Sequence, residues 1–255
     1  MICPKCAARL ADAPALCPRC GQPLLEDERT AALSFDGDPV EALGWGLVTI
    51  LSAILIVPLA WALAGFGRWF CRNLHFSDGG TVAFTGVGLE ILGWMALSAL
   101  LSLPNGILAR VDSGDVPLEI VLDIGMLFLG VLVSLSIVRW VVRHLARSSG
   151  PPLHFDGSYG GYLGYHVLLG ISVLTIVGWA WVLASYYGWL ADHTRGNRIA
   201  FGCHVEGWDI LWRTVAAILG SIPILTIPWV WTWYTRWLAS NIRMTRGGFP
   251  REGTD

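Results

Sequence analysis

The sequence predicts an all-α integral membrane protein: four repeated helical hairpin units, six to eight membrane helices in total, behind a small N-terminal zinc ribbon. Three observations predict it. Long blocks of the chain carry no charge, one set of motifs recurs four times, and two Cys-x-x-Cys pairs precede the first block.

Composition comes first. The 255 residues are 54% apolar and 14% charged, with 14 tryptophans and a mean hydropathy of +0.56, against about 25% charged for an ordinary soluble domain. Tryptophan favours the membrane–water interface, where its ring and its N–H are both satisfied. A net charge of −2 argues against nucleic acid as a partner, because such binding is dominated by cationic contacts to phosphate. No Asp, Glu, Lys or Arg occurs between Glu41 and Arg68, Glu90 and Arg110, Asp123 and Arg139, Asp156 and Asp192, or Arg213 and Arg236. A helix needs ~20 residues to cross ~30 Å of hydrocarbon, and most of these blocks are that long. No apolar signal segment is read between Met1 and Arg29.

The zinc ribbon is expected at residues 1–21, with Cys3, Cys6, Cys17 and Cys20 as ligands. Two knuckles of this spacing present four thiolates to a tetrahedral Zn2+ and leave no position for a reacting water, which makes the metal structural. Two disulfides are the rival reading, suited to an exported domain. Residues 22–34 read as a polar linker, and Cys71 and Cys203 as free thiols apart from the ribbon.

The repeats follow as units 35–83, 84–154, 155–200 and 201–246, with a tail at 247–255. Phe35-Asp36-Gly37, Phe84-Thr85-Gly86 and Phe155-Asp156-Gly157 open three units, and Phe201-Gly202 opens the fourth more loosely. Helix starts follow at Glu41, Glu90, Gly161 and Asp209. Each unit closes on a tryptophan with Asn or His four residues on: Trp69/Asn73, Trp140/His144, Trp189/His193 and Trp237/Asn241. Arg68, Arg139 and Arg236 precede that tryptophan in three units, and Trp61, Trp181 and Trp229 lie eight residues before it. Pro58, Gly178, Pro223 and Pro228 break the middle of three units, and the second is expanded around an outer loop at 110–117. Each unit therefore reads as a hairpin, with one long kinked helix as the alternative in the first, third and fourth. Hairpins put Arg68, Arg72, Arg139, Arg143, Arg147, Arg195, Arg198, Arg236, Arg243 and Arg246 on one side with Lys5 and Arg9, leaving only Arg110 opposite. That asymmetry predicts a membrane protein with both termini on the cytoplasmic side.

These residues resemble the YjgN-like family of bacterial multi-pass membrane proteins, over Phe35 to Arg246 and most clearly from Phe155 onward. The Cys-Pro-x-Cys pairs are similar to the short zinc ribbons at the ends of many bacterial membrane proteins. The resemblance implies a fold and a multi-pass location in the bacterial inner membrane, and supplies no catalytic residues.

Motifs for chemistry are sparse. The chain has no His-Glu-x-x-His and no phosphate-binding loop, and Gly86-Val87-Gly88 lacks the third glycine of a dinucleotide site. Glu41, Glu90 and Asp209 suit helix N-termini, where a carboxylate stabilises the dipole, with ion passage as the alternative. Glu119 and Asp123 share a helix face, His144 and His193 suit helix caps, and His166 suits pairing with a neighbouring arm or a proton relay. Gly157/Gly161 and Gly160/Gly164 have the spacing of close helix contacts. Two functions are expected. One is a non-enzymatic membrane scaffold or sensor whose ribbon docks a cytoplasmic protein, with a second copy of the chain as a further candidate partner. The other is a channel or transporter for ions or small solutes.

Overall fold

The computed structural model describes residues 29–55, 57–108, 116–147, 152–196 and 199–246. Each unit is a strand, two helices and a strand. The first runs β1 (Arg29–Phe35), α1 (Pro39–Ala53), α2 (Val57–Arg72) and β2 (Leu74–Phe76). The second runs β3 (Val82–Phe84), α3 (Gly88–Leu108), α4 (Val116–Arg143) and β4 (Leu145–Arg147). The third runs β5 (His154–Phe155), α5 (Tyr159–Ser172), α6 (Trp179–Asp192) and β6 (Thr194–Gly196). The fourth runs β7 (Ile199–Cys203), α7 (Gly207–Gly220), α8 (Ile227–Ser240) and β8 (Ile242–Arg246).

The strands overturn the all-α expectation. Six form an antiparallel sheet in the order β2-β1-β8-β7-β6-β5, and β3 pairs with β4. Single bridges, His75 to Thr81 and Ala146 to Pro152, join β2 to β3 and β4 to β5. The strands thus follow one another in chain order around a ring, and β8 returns to β1 with Thr245 opposite Thr30. Within each unit the two strands meet at the same point: Phe35 opposite Leu74, Phe84 opposite Leu145, Phe155 opposite Thr194 and Cys203 opposite Ile242.

β1 lies within the stretch expected to be linker. Its alternation is legible in burial: Ala31, Leu33 and Phe35 are buried, and Thr30, Ala32 and Ser34 are exposed. Alternate side chains of a strand point to opposite faces, so Ala31, Leu33 and Phe35 present one apolar face to the core.

The helices stand on this ring, each touching the next from α1 to α8, and α8 closing against α1. Helix starts are fixed locally. Asp38 caps α1 by accepting from the Val40 N–H at 3.0 Å, with Pro39 in the first turn, and Ser158 caps α5 through the Gly161 N–H at 3.2 Å. Two clusters fill the base. One gathers Phe35, Trp69, Phe76 and Met244 from the first and fourth units, and the other gathers Leu135, Phe155 and Tyr162 from the second and third.

The membrane expectation also needs correcting. Among the described residues one helix, Ile124–Arg143, is long and apolar enough to cross a membrane. α1, α2 and α5 to α8 have 14 to 16 residues each, or about 21–24 Å at 1.5 Å per residue. Six to eight spanning helices, and with them the multi-pass inner-membrane location, do not stand. Three of the charge-free blocks, Glu41 to Arg68, Asp156 to Asp192 and Arg213 to Arg236, were long because each runs through a bend and counts two short arms as one.

Candidate functional site

The recurrent polar residues act as joints of the repeat. Asn73 Nδ2 donates to the Trp69 carbonyl at 2.8 Å and Asn241 Nδ2 to that of Trp237 at 2.7 Å. His144 and His193 do the same through Nδ1, at 2.9 Å to Trp140 O and 2.8 Å to Trp189 O. Each closes the last turn of a helix whose terminal carbonyls lack intrahelical partners. The residue's own carbonyl then accepts from the strand that opened the unit. Asp36 N–H reaches Asn73 O at 3.0 Å, Thr85 N–H reaches His144 O at 2.9 Å, Asp156 N–H reaches His193 O at 3.0 Å and His204 N–H reaches Asn241 O at 3.2 Å.

That register corrects the fourth unit. Its opener is Cys203-His204-Val205, two residues after the Phe201-Gly202 pair. Chemistry explains the altered spelling. A Cβ on Gly37 would meet the Phe35 ring at 2.3 Å, one on Gly86 would meet the Phe84 ring at 2.4 Å, and one on Gly157 would meet the Phe155 ring at 2.4 Å. The phenyl ring folds back over the residue two places on, so that residue must be glycine. Where cysteine replaces phenylalanine, valine fits.

The acidic residues at helix starts are drawn to tryptophan. Trp69 Nε1 donates to Glu41 Oε2 at 2.5 Å, and Trp140 Nε1 donates to Glu90 Oε2 at 3.2 Å, with His144 Nε2 also 3.3 Å from that oxygen. In the third unit Gly161 stands in place of the acid, and a Cβ there would meet Trp189 at 2.9 Å. In the fourth, Asp209 accepts from Trp212 on its own helix at 3.1 Å. His166 donates to Tyr162 O at 2.9 Å, one turn back, with its ring 5.9 Å from Tyr186 of the neighbouring arm.

The arginines before the closing tryptophans join units. Arg139 Nη2 donates to Gly157 O at 3.0 Å, and Arg236 Nη2 donates to Gly37 O at 2.9 Å, so the second unit holds the third and the fourth holds the first. Tryptophans make the complementary joints. Trp61 covers Gly88, where a Cβ would meet it at 2.8 Å, and Trp181 covers Gly207 at 2.5 Å. At the joint from the second unit to the third, Leu132 stands where the tryptophan would be and Tyr159 where the glycine would be. Tyr159 Oη there donates to Phe128 O at 2.9 Å.

Inside the ring, between strands and helix bases, lies a cavity of about 610 Å³ to which all four units contribute. Leu33, Phe76, Val82, Phe84, Phe201 and Met244 line it from the strands, and arms of α2, α4, α6 and α8 roof it. An eight-stranded ring is just wide enough for its own side chains or one small ligand. Cys71 and Cys203 both reach this cavity, and among the described residues neither forms a disulfide. Burial pushes the Cys71 thiol up to about 11 and raises that of Cys203, so both stay protonated near neutral pH.

Tyr187 and Thr194 also line the cavity, and among its lining residues one is charged. Arg147 at the end of β4 is 9% exposed. Its Nη2 donates to Asp78 Oδ2 at 2.7 Å, its Nη1 lies 3.6 Å from the Met244 sulfur, and its guanidinium carbon is 5.5 Å from the centre of the Phe76 ring. Gly80 makes room for it, since a Cβ there would strike Nη2 at 2.5 Å. The Nε–H is buried and has no partner among the described residues, an arrangement that costs about 1–3 kcal/mol. Sequence reasoning counted Arg147 only as one positive charge among many. The signal it passed over was Asp78-Gly79-Gly80, a turn that puts a carboxylate and an open space beside β4.

The far ends of the hairpins differ entirely from this base. Ile54 is 75% exposed at the first bend, Leu174 84% and Ile176 82% at the third, and Ile224 81% at the fourth. These bends lie within the charge-free blocks, whereas Arg68, Arg72, Arg143, Arg236 and Arg243 are exposed near the strands. Trp61, Trp181 and Trp229, each about half exposed, stand between the two levels.

The proposed zinc ligands Cys3, Cys6, Cys17 and Cys20 lie outside the described residues, as does the loop 110–115 and its Arg110. Among the described residues no group of three or more His, Cys, Asp and Glu gathers as a metal site. Comparison of the chain with models of known protein families, with curated proteins and with solved structures finds no match.

Proposed function

We propose that this chain is a non-catalytic scaffold or sensor attached to a lipid layer. Its first, third and fourth hairpins dip their uncharged ends into the lipid from one face, and the strand ring stays at the surface. The observation that carries this reading is the segregation along the hairpin axis: apolar bends, then half-exposed tryptophans, then exposed arginines. Indole rings favour the interfacial zone, and arginines at the strand level suit anionic headgroups. Arms of about 21–24 Å enter a layer without needing to traverse it. The acids expected along an ion path instead accept hydrogen bonds from indoles, which favours the scaffold over the channel.

Flotation of the full chain with liposomes tests the reading. The wild type should float with phosphatidylglycerol-containing vesicles, and the triple variant Ile54→Asp/Leu174→Asp/Ile224→Asp should stay at the bottom of the gradient with an unchanged circular dichroism spectrum. A folded triple variant that floats like the wild type defeats the proposal. So does a wild type that hides these bends in a stable soluble oligomer.

The N-terminal cysteines supply the docking element of the same proposal. Four thiols in two Cys-x-x-Cys pairs are a complete donor set for structural zinc. About one zinc per chain is expected by elemental analysis, and a Cys17→Ser/Cys20→Ser variant should lose it while still floating.

A further inference from the structure

The cavity inside the strand ring belongs to neither the lipid-facing bends nor the N-terminal module, and its chemistry can be read by itself. Its walls are apolar and come from all four units. Its volume of about 610 Å³ falls in the ~300–1,000 Å³ range of small-molecule sites, which are mostly apolar with a few placed polar groups. Its lining includes the Cys71 and Cys203 thiols and the hydroxyls of Tyr187 and Thr194, the latter already donating to Leu190 O at 2.8 Å, and one charged group. That group is the buried Arg147, whose Nε–H has no partner among the described residues. The charge of Arg147 is already met by Asp78 at 2.7 Å. An anion added beside that pair would leave one negative charge uncompensated in an apolar chamber, which is costly. A neutral oxygen would satisfy the N–H and add no charge.

We infer that the cavity binds one uncharged amphiphile, an apolar body carrying a carbonyl-type oxygen that accepts the Arg147 Nε–H. An acyl ester and an alkyl quinone both offer that oxygen. The inference goes beyond lipid attachment, because the site lies within the ring and away from the bends.

Titration calorimetry on the full chain, stripped of bound lipid in detergent, tests it with three probes of matched chain length: ethyl decanoate, a decyl-substituted benzoquinone and the decanoate anion. At least one neutral probe should bind once per chain, and decanoate should bind at least tenfold more weakly. Binding of the quinone alone assigns the site to redox lipids, and binding of the ester alone assigns it to acyl lipids. Ala191→Phe, which projects a ring into the chamber from α6, should abolish binding while flotation with liposomes is kept. Arg147→Lys keeps a cation for Asp78 and removes Nε–H, and should weaken the neutral probe roughly tenfold. Asp78→Asn leaves Arg147 uncompensated and should move the preference toward decanoate. No binding of either neutral probe, tighter binding of decanoate by the wild type, or undiminished binding by Ala191→Phe would overturn the inference. Loss of flotation in the triple hairpin variant with probe binding intact would separate this site from lipid attachment.

Discussion

A phenyl ring folded over a glycine is the smallest device in the protein, and it recurs at Phe35/Gly37, Phe84/Gly86 and Phe155/Gly157. None of these glycines has positive φ; among glycines the described residues give one such case, Gly79. Space and not backbone freedom demands glycine here. Gly157→Ala should therefore cost about 1–3 kcal/mol through overpacking, read as a lowered urea midpoint. Trimming the ring in Phe155→Leu/Gly157→Ala should recover part of that loss, and Val205→Ala, opposite no ring, should cost far less. Glu41 carries a second prediction at this scale. Trp69 is 2% exposed and its indole donates to Glu41, so Glu41→Ala leaves a buried N–H unpaired at a cost of about 1–3 kcal/mol. Glu41→Gln keeps an acceptor and should lose less in the same melt. Equal losses would show that the carboxylate acts on the helix dipole and not on Trp69.

Elements bring competing demands into one place, nowhere more than at the bend between α5 and α6. A short 3-10 turn, Val173–Thr175, ends at Ile176 with φ 63°. A β-branched residue is strained there, and burial is no compensation, because Ile176 is 82% exposed. Contact with lipid would be the compensation. Ile176→Gly should raise the thermal midpoint by relieving the strain while weakening flotation with liposomes, so the two readouts should move in opposite directions. If both rise together, lipid has no part in retaining the isoleucine. The helices and their bends were legible in the sequence because Pro58, Gly178 and Pro223 interrupt long apolar blocks that helix caps and closing Asn or His residues bound. The strands were not. β2, β4 and β6 have three residues each and β5 has two, too few for a period of two to show. They are held by neighbours distant in sequence, as Phe35 is by Leu74. The fourth unit was misregistered by two residues because Phe201 imitates an opener that Cys203 fills. Arg147 was hidden for another reason: its role depends on Asp78 and Gly80, which precede it by most of a repeat.

The whole molecule is a ring closed by its first and last strands, and that closure gives a test of the entire architecture. Thr30 stands opposite Thr245 across β1 and β8, where facing Cα atoms in an antiparallel pair lie about 4.5–5.5 Å apart. A disulfide spans that separation without distortion. Oxidised Thr30→Cys/Thr245→Cys should therefore form a cross-link identifiable by peptide mapping, whereas Ser34→Cys/Thr245→Cys should not, because Ser34 faces His75 on β2. The bond would enclose nearly all of the described chain. In the chain-entropy account a closed loop of ~100 residues gains about 4.7 kcal/mol, and longer loops gain slightly more. The oxidised variant should unfold at a distinctly higher urea concentration than the same variant reduced. A cross-link that forms without stabilising would mean that β1 and β8 meet only transiently. A cross-link that fails to form would open the ring, and with it the chamber around Arg147, since Leu33 of β1 and Met244 of β8 are two of its walls.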